Sequence, residues 1–288
     1  MAGSIVSHRV DVQVTIPPEI QELMEQEEEV FVQFEPGPWS KRHPMEHGPF
    51  IRHTGIPGHD QERLGKSSAI VIGAGGLGFP VAQGLVRSGI GSITVCDGDV
   101  VELANTSRQF YQPEDIGHLK GVRIAYQLAD QMPGGGTIVG IGLNWPEVTD
   151  RYVLEGDLLL CLVDNNRARL EAAKYARNTG IPAIFAMLSR DGMRTQVFLQ
   201  SPRKKDPCLW CALPDLDPEV AAPCAAAIVE SCQLVSAWVL FFAHRVLTSW
   251  PKDVPFFNFR FGNLLGVGPE GVGWVKRNLG CERRELHE

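Results

Sequence analysis

The stretch from Ala69 to Leu85, AIVIGAGGLGFPVAQGL, decides how the chain is read: an apolar run enters a glycine-rich turn, and a pattern with helical spacing leaves it. Gly73, Gly75 and Gly78 match G-x-G-x-x-G, with Gly76 inside the motif. Glycines at these points allow positive φ and let a phosphate approach the backbone closely. The helix that follows offers unpaired N–H groups and the positive end of its dipole. Such a site needs an acid at the end of the next strand to accept hydrogen bonds from ribose hydroxyls. Asp97, in ITVCDGD, stands there. To this point NAD, FAD and ATP fit equally, and glycines used for tight packing are the alternative to any nucleotide.

Outward from the turn, strand-like and helix-like runs alternate. SAIVIG leads into GFPVAQGLVRSG; SITVCD follows, then an irregular stretch, then KGVRIAYQLADQM, TIVGIGL, DLLLCLVD, NNRARLEAAKYARNTG and PAIFAML. Near-continuous apolar strands alternating with helices predict an α/β, Rossmann-like fold, a mostly parallel sheet with helices on both faces. GMRTQVFLQ (Gly192–Gln200) alternates with polar residues, so edge or antiparallel strands are expected at the C-terminal end.

Residues 1–50 differ in character. VDVQVTI and VFVQFE alternate like strands around the acidic, helix-like PPEIQELMEQEEE, and the proline-rich PGPWSKRHPMEHGP reads as a linker. The segment is expected to be an N-terminal appendage, as a docking arm or a sheet extension, with residues 51–288 forming the main domain.

Composition narrows the partners. With 44% hydrophobic and 21% charged residues the chain is globular, and 27 basic against 34 acidic residues leave a net charge of −7. That balance argues against nucleic acid or an anionic membrane as the main partner. The most apolar run, LVSAWVLFFA (Leu234–Ala243), is too short to span a bilayer and is expected to be a buried helix. The N-terminus carries no secretory pattern, and seven cysteines, an odd number, do not build a disulfide framework. A reducing cytoplasm is the expected setting.

The residues after Asp97 separate the nucleotides. VELANTSRQF sets Asn105, Arg108 and Gln109 on an irregular segment, and Lys120 opens the next helix. Singly, each cation reads as a solvated surface charge; together, beside a phosphate turn, they suit a triphosphate. Asp164, in LCLVDNN, ends a strand at the edge where open α/β sheets bind ligands. A carboxylate facing phosphates makes sense if it holds Mg²⁺. In a dehydrogenase it would repel the pyrophosphate.

These motifs, in order, resemble the ThiF/MoeB/HesA adenylyltransferases, the bacterial relatives of ubiquitin-activating enzymes. The matching stretches are FIRHTGIPGHDQERL, VIGAGGLG, CDGDVVELANTSRQF, GHLKG, CLVDNN and CLWC, with a weaker VKRNLGC near the end. The resemblance implies ATP-dependent adenylation of the C-terminal glycine carboxylate of a ubiquitin-like or sulfur-carrier protein ending in Gly-Gly. It implies that Gly73, Gly75, Gly76 and Gly78 line the phosphates and that Asp97 binds ribose with Asp99 beside it. Asn105, Arg108, Gln109 and Lys120 would meet the triphosphate, and Asp164 would hold Mg²⁺. Arg52 matches an arginine that reaches the triphosphate from the partner subunit, so a homodimer is implied. Cys224 stands where relatives carry a cysteine that takes the activated carrier as a thioester or persulfide.

Cys208-Leu-Trp-Cys211 has zinc-knuckle spacing. The family places a second cysteine pair near the C-terminus; here Cys281 is present, Arg284 replaces its partner, and His287 would complete a Cys₃His zinc site. Free thiols are the alternative. Cys96 and Cys161 are expected in the core, Cys232 in helix packing, Trp210 over the metal or in packing, and His244 at a helix terminus. Two other functional readings stay open: a catalytically silent, partner-binding homologue, and an NAD(P)-dependent oxidoreductase, which leaves Arg108, Lys120, Asp164 and the C-x-x-C unexplained.

Overall fold

Alternation along the strands sorts the core into two layers. The computed structural model describes residues 30–42, 47–189, 192, 195–217, 227–248, 257–261, 269–281 and 283–287. In β2 (Ser68–Ile72), Ala69 and Val71 face one cluster of buried side chains, while Ile70 and Ile72 face the other. The same alternation recurs in β5 (Leu158–Cys161), where Leu158 and Leu160 oppose Leu159 and Cys161. Strands apolar on both faces need helices on both faces.

The first layer is filled by α1 (Gly78–Ser88) and α2 (Lys120–Ala129), together with α5 (Val229–Leu247). The second is filled by α3 (Trp145–Arg151), α4 (Asn166–Thr179) and the one-turn helix Leu209–Ala212. α1 and α4 each end on a left-handed glycine, Gly89 and Gly180, whose N–H groups close the last turn. The apolar run Leu234–Ala243 lies within α5 but is buried on one face only: Val235, Val239 and Phe242 enter the core while Leu234 and Phe241 stay exposed, which corrects the expectation of a buried helix. No helix among the described residues is long and apolar enough to cross a membrane.

With β3 (Ser92–Cys96), β4 (Thr137–Ile141) and β6 (Ala183–Leu188), strands β2 and β5 form a parallel core in the order β4-β3-β2-β5-β6. The chain leaves β2 in one direction for β3 and β4, then resumes on the other side with β5. The crevice between β2 and β5 is therefore the switch point where such sheets bind ligands. Antiparallel strands extend both sides: β1 (Phe31–Phe34) pairs with β4, and β7 (Thr195–Gln200), β8 (Phe257–Phe261) and β9 (Pro269–Trp274) follow β6.

The sequence reading of an α/β, mostly parallel sheet with antiparallel strands at the C-terminal end describes this sheet. Two open alternatives are decided, and one element was missed. β7 takes the antiparallel alternative and is an interior strand, because β8 and β9 lie beyond it. α3 was not anticipated, since it is only seven residues long, Trp145–Arg151 after an Asn144 N-cap. Phe31–Phe34 is a sheet extension; VDVQVTI and the acidic helix-like run lie outside the described residues.

Candidate functional site

The glycine turn begins where β2 ends. Gly73 has φ +95°, and a Cβ there would press on the Leu162 carbonyl beyond β5. Gly76 leaves room for the Cys232 sulfur, 2.8 Å from where its Cβ would stand, while a Cβ on Gly75 would meet only Gln109 Nε2, at 3.7 Å. At Gly78 an added Cβ would run into the carbonyl of Gly73. Gly73, Gly75 and Gly76 line a cavity of ≈ 550 Å³ at the switch point. Gly78 is not among the lining residues; it lets α1 pack against the turn.

Asp97 closes the base of the turn. Its carboxylate accepts from Ala74 N–H at 2.6 Å and from Asp99 N–H at 2.9 Å. Removal from water pushes its pKa up to about 6, although the Lys120 ammonium and the Ala74 N–H oppose this. Lys120 is 7% exposed and its Nζ lies 3.0 Å from the Asp99 carboxylate. Burying a lysine requires such a partner.

A 3₁₀ turn, Leu103–Asn105, positions the other polar groups. Glu102 N–H donates to Asn105 Oδ1, and the Asn105 carbonyl accepts from the N–H groups of Arg108 (3.1 Å) and Gln109 (2.9 Å). Arg108 Nη1 donates to the Ala104 carbonyl. The segment is anchored to α2 through Asp115, which is 1% exposed and accepts from Arg123 Nε (2.7 Å), Gln112 N–H (2.7 Å) and Gln127.

Asp164 follows β5 on the opposite wall. Asn165 caps α4 by accepting from Ala168 N–H at 2.7 Å. Arg169 braces this turn, donating from Nη2 to the Val163 carbonyl and from Nη1 to Asn166 Oδ1, both at 2.7 Å. Burial lowers the pKa of this guanidinium. Asp97, Asp99, Asn105, Arg108, Gln109, Lys120 and Asp164 thus share one cavity with three of the four glycines.

The cavity also contains groups that sequence reasoning missed. Asn144, Trp145 and Pro146 form a wall, Arg167 and Arg169 add cations, and Cys232 serves helix packing and cavity lining together. The Asn144 cap at the end of β4 was the one legible signal for the wall; the rest depends on which loops meet at the sheet edge.

Two further residues lie apart. Arg52 is exposed on the 3₁₀ turn Ile51–His53 and does not line the cavity. Its neighbour Phe50 packs against Gly89 at the far end of α1, whose 11 residues put about 16 Å between that end and the glycine turn. Cys224 lies outside the described residues.

A second cluster forms on the other layer. Cys208, Cys211, Cys281 and His287 bring four ligand atoms within 4.8 Å of one another. The donated hydrogen bond from the Cys208 thiol, helped by the Asn278 N–H, holds the Cys211 thiol well below its ordinary pKa, while Cys208 is pushed up. His287 Nδ1 is 2.9 Å from the Lys204 carbonyl and Nε2 is 3.5 Å from the Cys211 sulfur. A proton on Nδ1 leaves the Nε2 lone pair facing the thiols, the orientation a metal-bound histidine needs. Three thiols and an imidazole suit zinc. Trp210 packs here with the Arg283 guanidinium 4.4 Å from its ring centre, and Cys96 and Cys161 are buried core residues.

A helix-capped glycine turn, an acid after the neighbouring strand, cations and an acid across the crevice line one cavity at the switch point of an α/β sheet, a lining whose chemistry suits nucleotide phosphates. The ThiF family model matches residues 49–264, and the chain belongs to that family. It is 33% identical over 175 residues to the sulfur carrier protein adenylyltransferase of Thermus thermophilus, covering 58% of this chain and 63% of that one. It is also 33% identical over 171 residues to the adenylyltransferase and sulfurtransferase MOCS3 of Xenopus laevis, covering 57% of this chain and 36% of that one. The chain thus spans less than two thirds of either relative. E. coli MccB with AMPCPP and MccA shares the fold at a TM-score of 0.67 and 18% identity, over 93% of this chain and 81% of MccB.

Proposed function

We propose that this protein adenylates the C-terminal glycine carboxylate of a ubiquitin-like or sulfur-carrier protein, consuming ATP and releasing pyrophosphate. The observation that carries this reading is the meeting of Arg108, Lys120 and Asp164 with the glycine turn in one cavity. A carboxylate oxygen attacks the α-phosphorus, forming a C(O)–O–P bond. The bond from that phosphorus to the bridging oxygen breaks, and pyrophosphate leaves with the electron pair. Little covalent chemistry falls to the protein; positioning and charge neutralisation supply the catalysis.

In this reading the turn's N–H groups, Arg108 and Lys120 neutralise the phosphates, and Asp97 accepts from ribose. Asp164 would hold Mg²⁺, which neutralises phosphate oxygens when bound. The names of the two relatives support a carrier protein as the second substrate. Carrier-dependent exchange of labelled pyrophosphate into ATP tests the reading. Asp164→Ala should abolish exchange in a chain that still folds; full exchange in that variant refutes the assignment. If Cys224 takes the activated carrier, Cys224→Ala keeps exchange and loses the covalent adduct.

Arg52 supports a homodimer, because its position at the far end of α1 suits a neighbour's cavity better than its own. Zinc in the Cys₃His cluster would be structural, since four protein ligands leave no open position. A silent homologue would have no need for an intact set of phosphate-facing groups, and an NAD(P) enzyme none for Asp164 facing the turn. Consumption of ATP and a cluster of reduced thiols call for a cytoplasmic site of action.

A further inference from the structure

We propose that Tyr111 is a positioning residue whose hydroxyl, working from within the core, sets the peptide planes that aim the glycine turn and the start of α2 at the triphosphate. This inference rests on the ATP reading above. Tyr111 is 4% exposed, and its ring stands edge-on to Phe79 of α1 with centroids 5.0 Å apart. Its Oη lies 2.9 Å from the Ala74 carbonyl and 3.2 Å from the Lys120 carbonyl. The single O–H proton is shared between these two carbonyls, the shorter contact being to Ala74, and one buried hydroxyl thereby bridges the phosphate turn and the first residue of the helix that supplies the buried cation.

Asp97 grips the same two places differently. Its carboxylate accepts from Ala74 N–H at 2.6 Å, and its backbone carbonyl accepts from Gly121 N–H at 3.1 Å. The peptide joining Lys120 to Gly121 is thus held by its carbonyl to Tyr111 and by its N–H to Asp97. Ala74 is held by its own N–H to Asp97 and by its carbonyl to Tyr111.

The described residues contain no cis peptide bond, and a trans peptide points its C=O and N–H in opposite directions. With the Ala74 carbonyl drawn to Tyr111, the Gly75 N–H on the same peptide faces away from it. Gly75 lines the cavity, and its N–H has no hydrogen-bond partner among the described residues. That donor is free for a phosphate oxygen. An apolar side chain would fill the position without desolvating a hydroxyl, so the hydroxyl is explained by the two carbonyls it holds. Burial, reinforced by Asp97, Asp115 and Asp99, raises the phenol's pKa well above its ordinary value, which keeps it a donor.

The test is Tyr111→Phe in the full chain, which keeps the ring and removes only the oxygen. Calorimetric titration with ATP and, separately, with adenosine compares the variant and wild type. The expected result is roughly three- to tenfold weaker ATP binding, the worth of about one hydrogen bond, with adenosine affinity unchanged. Equal weakening toward both ligands means general loosening and overturns the positioning role, as does unchanged ATP affinity. A wild-type chain that binds no ATP overturns the adenylation reading and this inference together; wild-type binding with an unaffected variant overturns the inference alone.

Discussion

At the scale of single residues, two buried titrations oppose each other, Asp97 in the cavity and His244 outside it. Asp97 has its pKa raised from 3.8 to about 6 by burial, so the folded chain holds that proton more tightly than the unfolded chain. Its favourable contribution is full below pH 3.8 and is lost as pH rises through about 6. His244, in the last turn of α5, is depressed from 6.5 to about 4, first by burial and then by His59 and His53. Its contribution is full above pH 6.5 and is lost as pH falls through about 4. Each amounts to about 2 kcal/mol after allowing for partial exposure, so they largely cancel in the wild type. On acidification from pH 6.5 to 4, the urea midpoint of Asp97→Asn should fall relative to wild type, and that of His244→Gln should rise. Parallel curves for all three chains would show that neither group is desolvated. Asp97 was legible from its place after β3; its shifted pKa was not, because the shift depends on Ala74, Lys120 and the packing around them.

At the scale of elements, the Cys208–Cys211 turn and the tail carrying Cys281 and His287 are held together across more than 60 residues of sequence. Spacing exposed the first pair, and Cys281 with His287 followed from the resemblance, which implies a second pair near the C-terminus. That His287 presents Nε2 to the thiols with Nδ1 against Lys204 emerged only when the tail was in place. Purified protein should contain about one zinc per chain by elemental analysis, and Cys208→Ser with His287→Ala should lose it. The double variant should also expose the 275–287 segment to protease while leaving the sheet's circular dichroism unchanged. Zinc retained in that variant would place the metal elsewhere. The irregular segment between β3 and α2 repeats the lesson. Its polar residues were identifiable one by one, but the Asp115 anchor and the Tyr111 bridge became visible only with α2 alongside.

At the scale of the whole molecule, Arg52 and the cavity occupy opposite ends of α1, which gives the dimer reading a direct test. Arg52→Ala and Asp164→Ala should each be inactive alone. Co-expressed chains should recover about a quarter of the sites, since random pairing makes half the dimers mixed and each mixed dimer has one complete site. No recovery, with mixed dimers verified by mass, would mean that Arg52 acts within its own chain or not at all. The sequence by itself determined the alternation of apolar strands and helices, the glycine turn, and the acid that ends the following strand. These depend on local backbone geometry and on short spacings that folding cannot rearrange. Only the tertiary structure decided that β7 lies inside the sheet, that Asn144–Pro146 and Arg167 close the cavity, and that Tyr111 joins the turn to α2. The place of β7 depends on β8 and β9, which come later in the chain, and the cavity contacts form only where loops from the carboxyl ends of several strands come together.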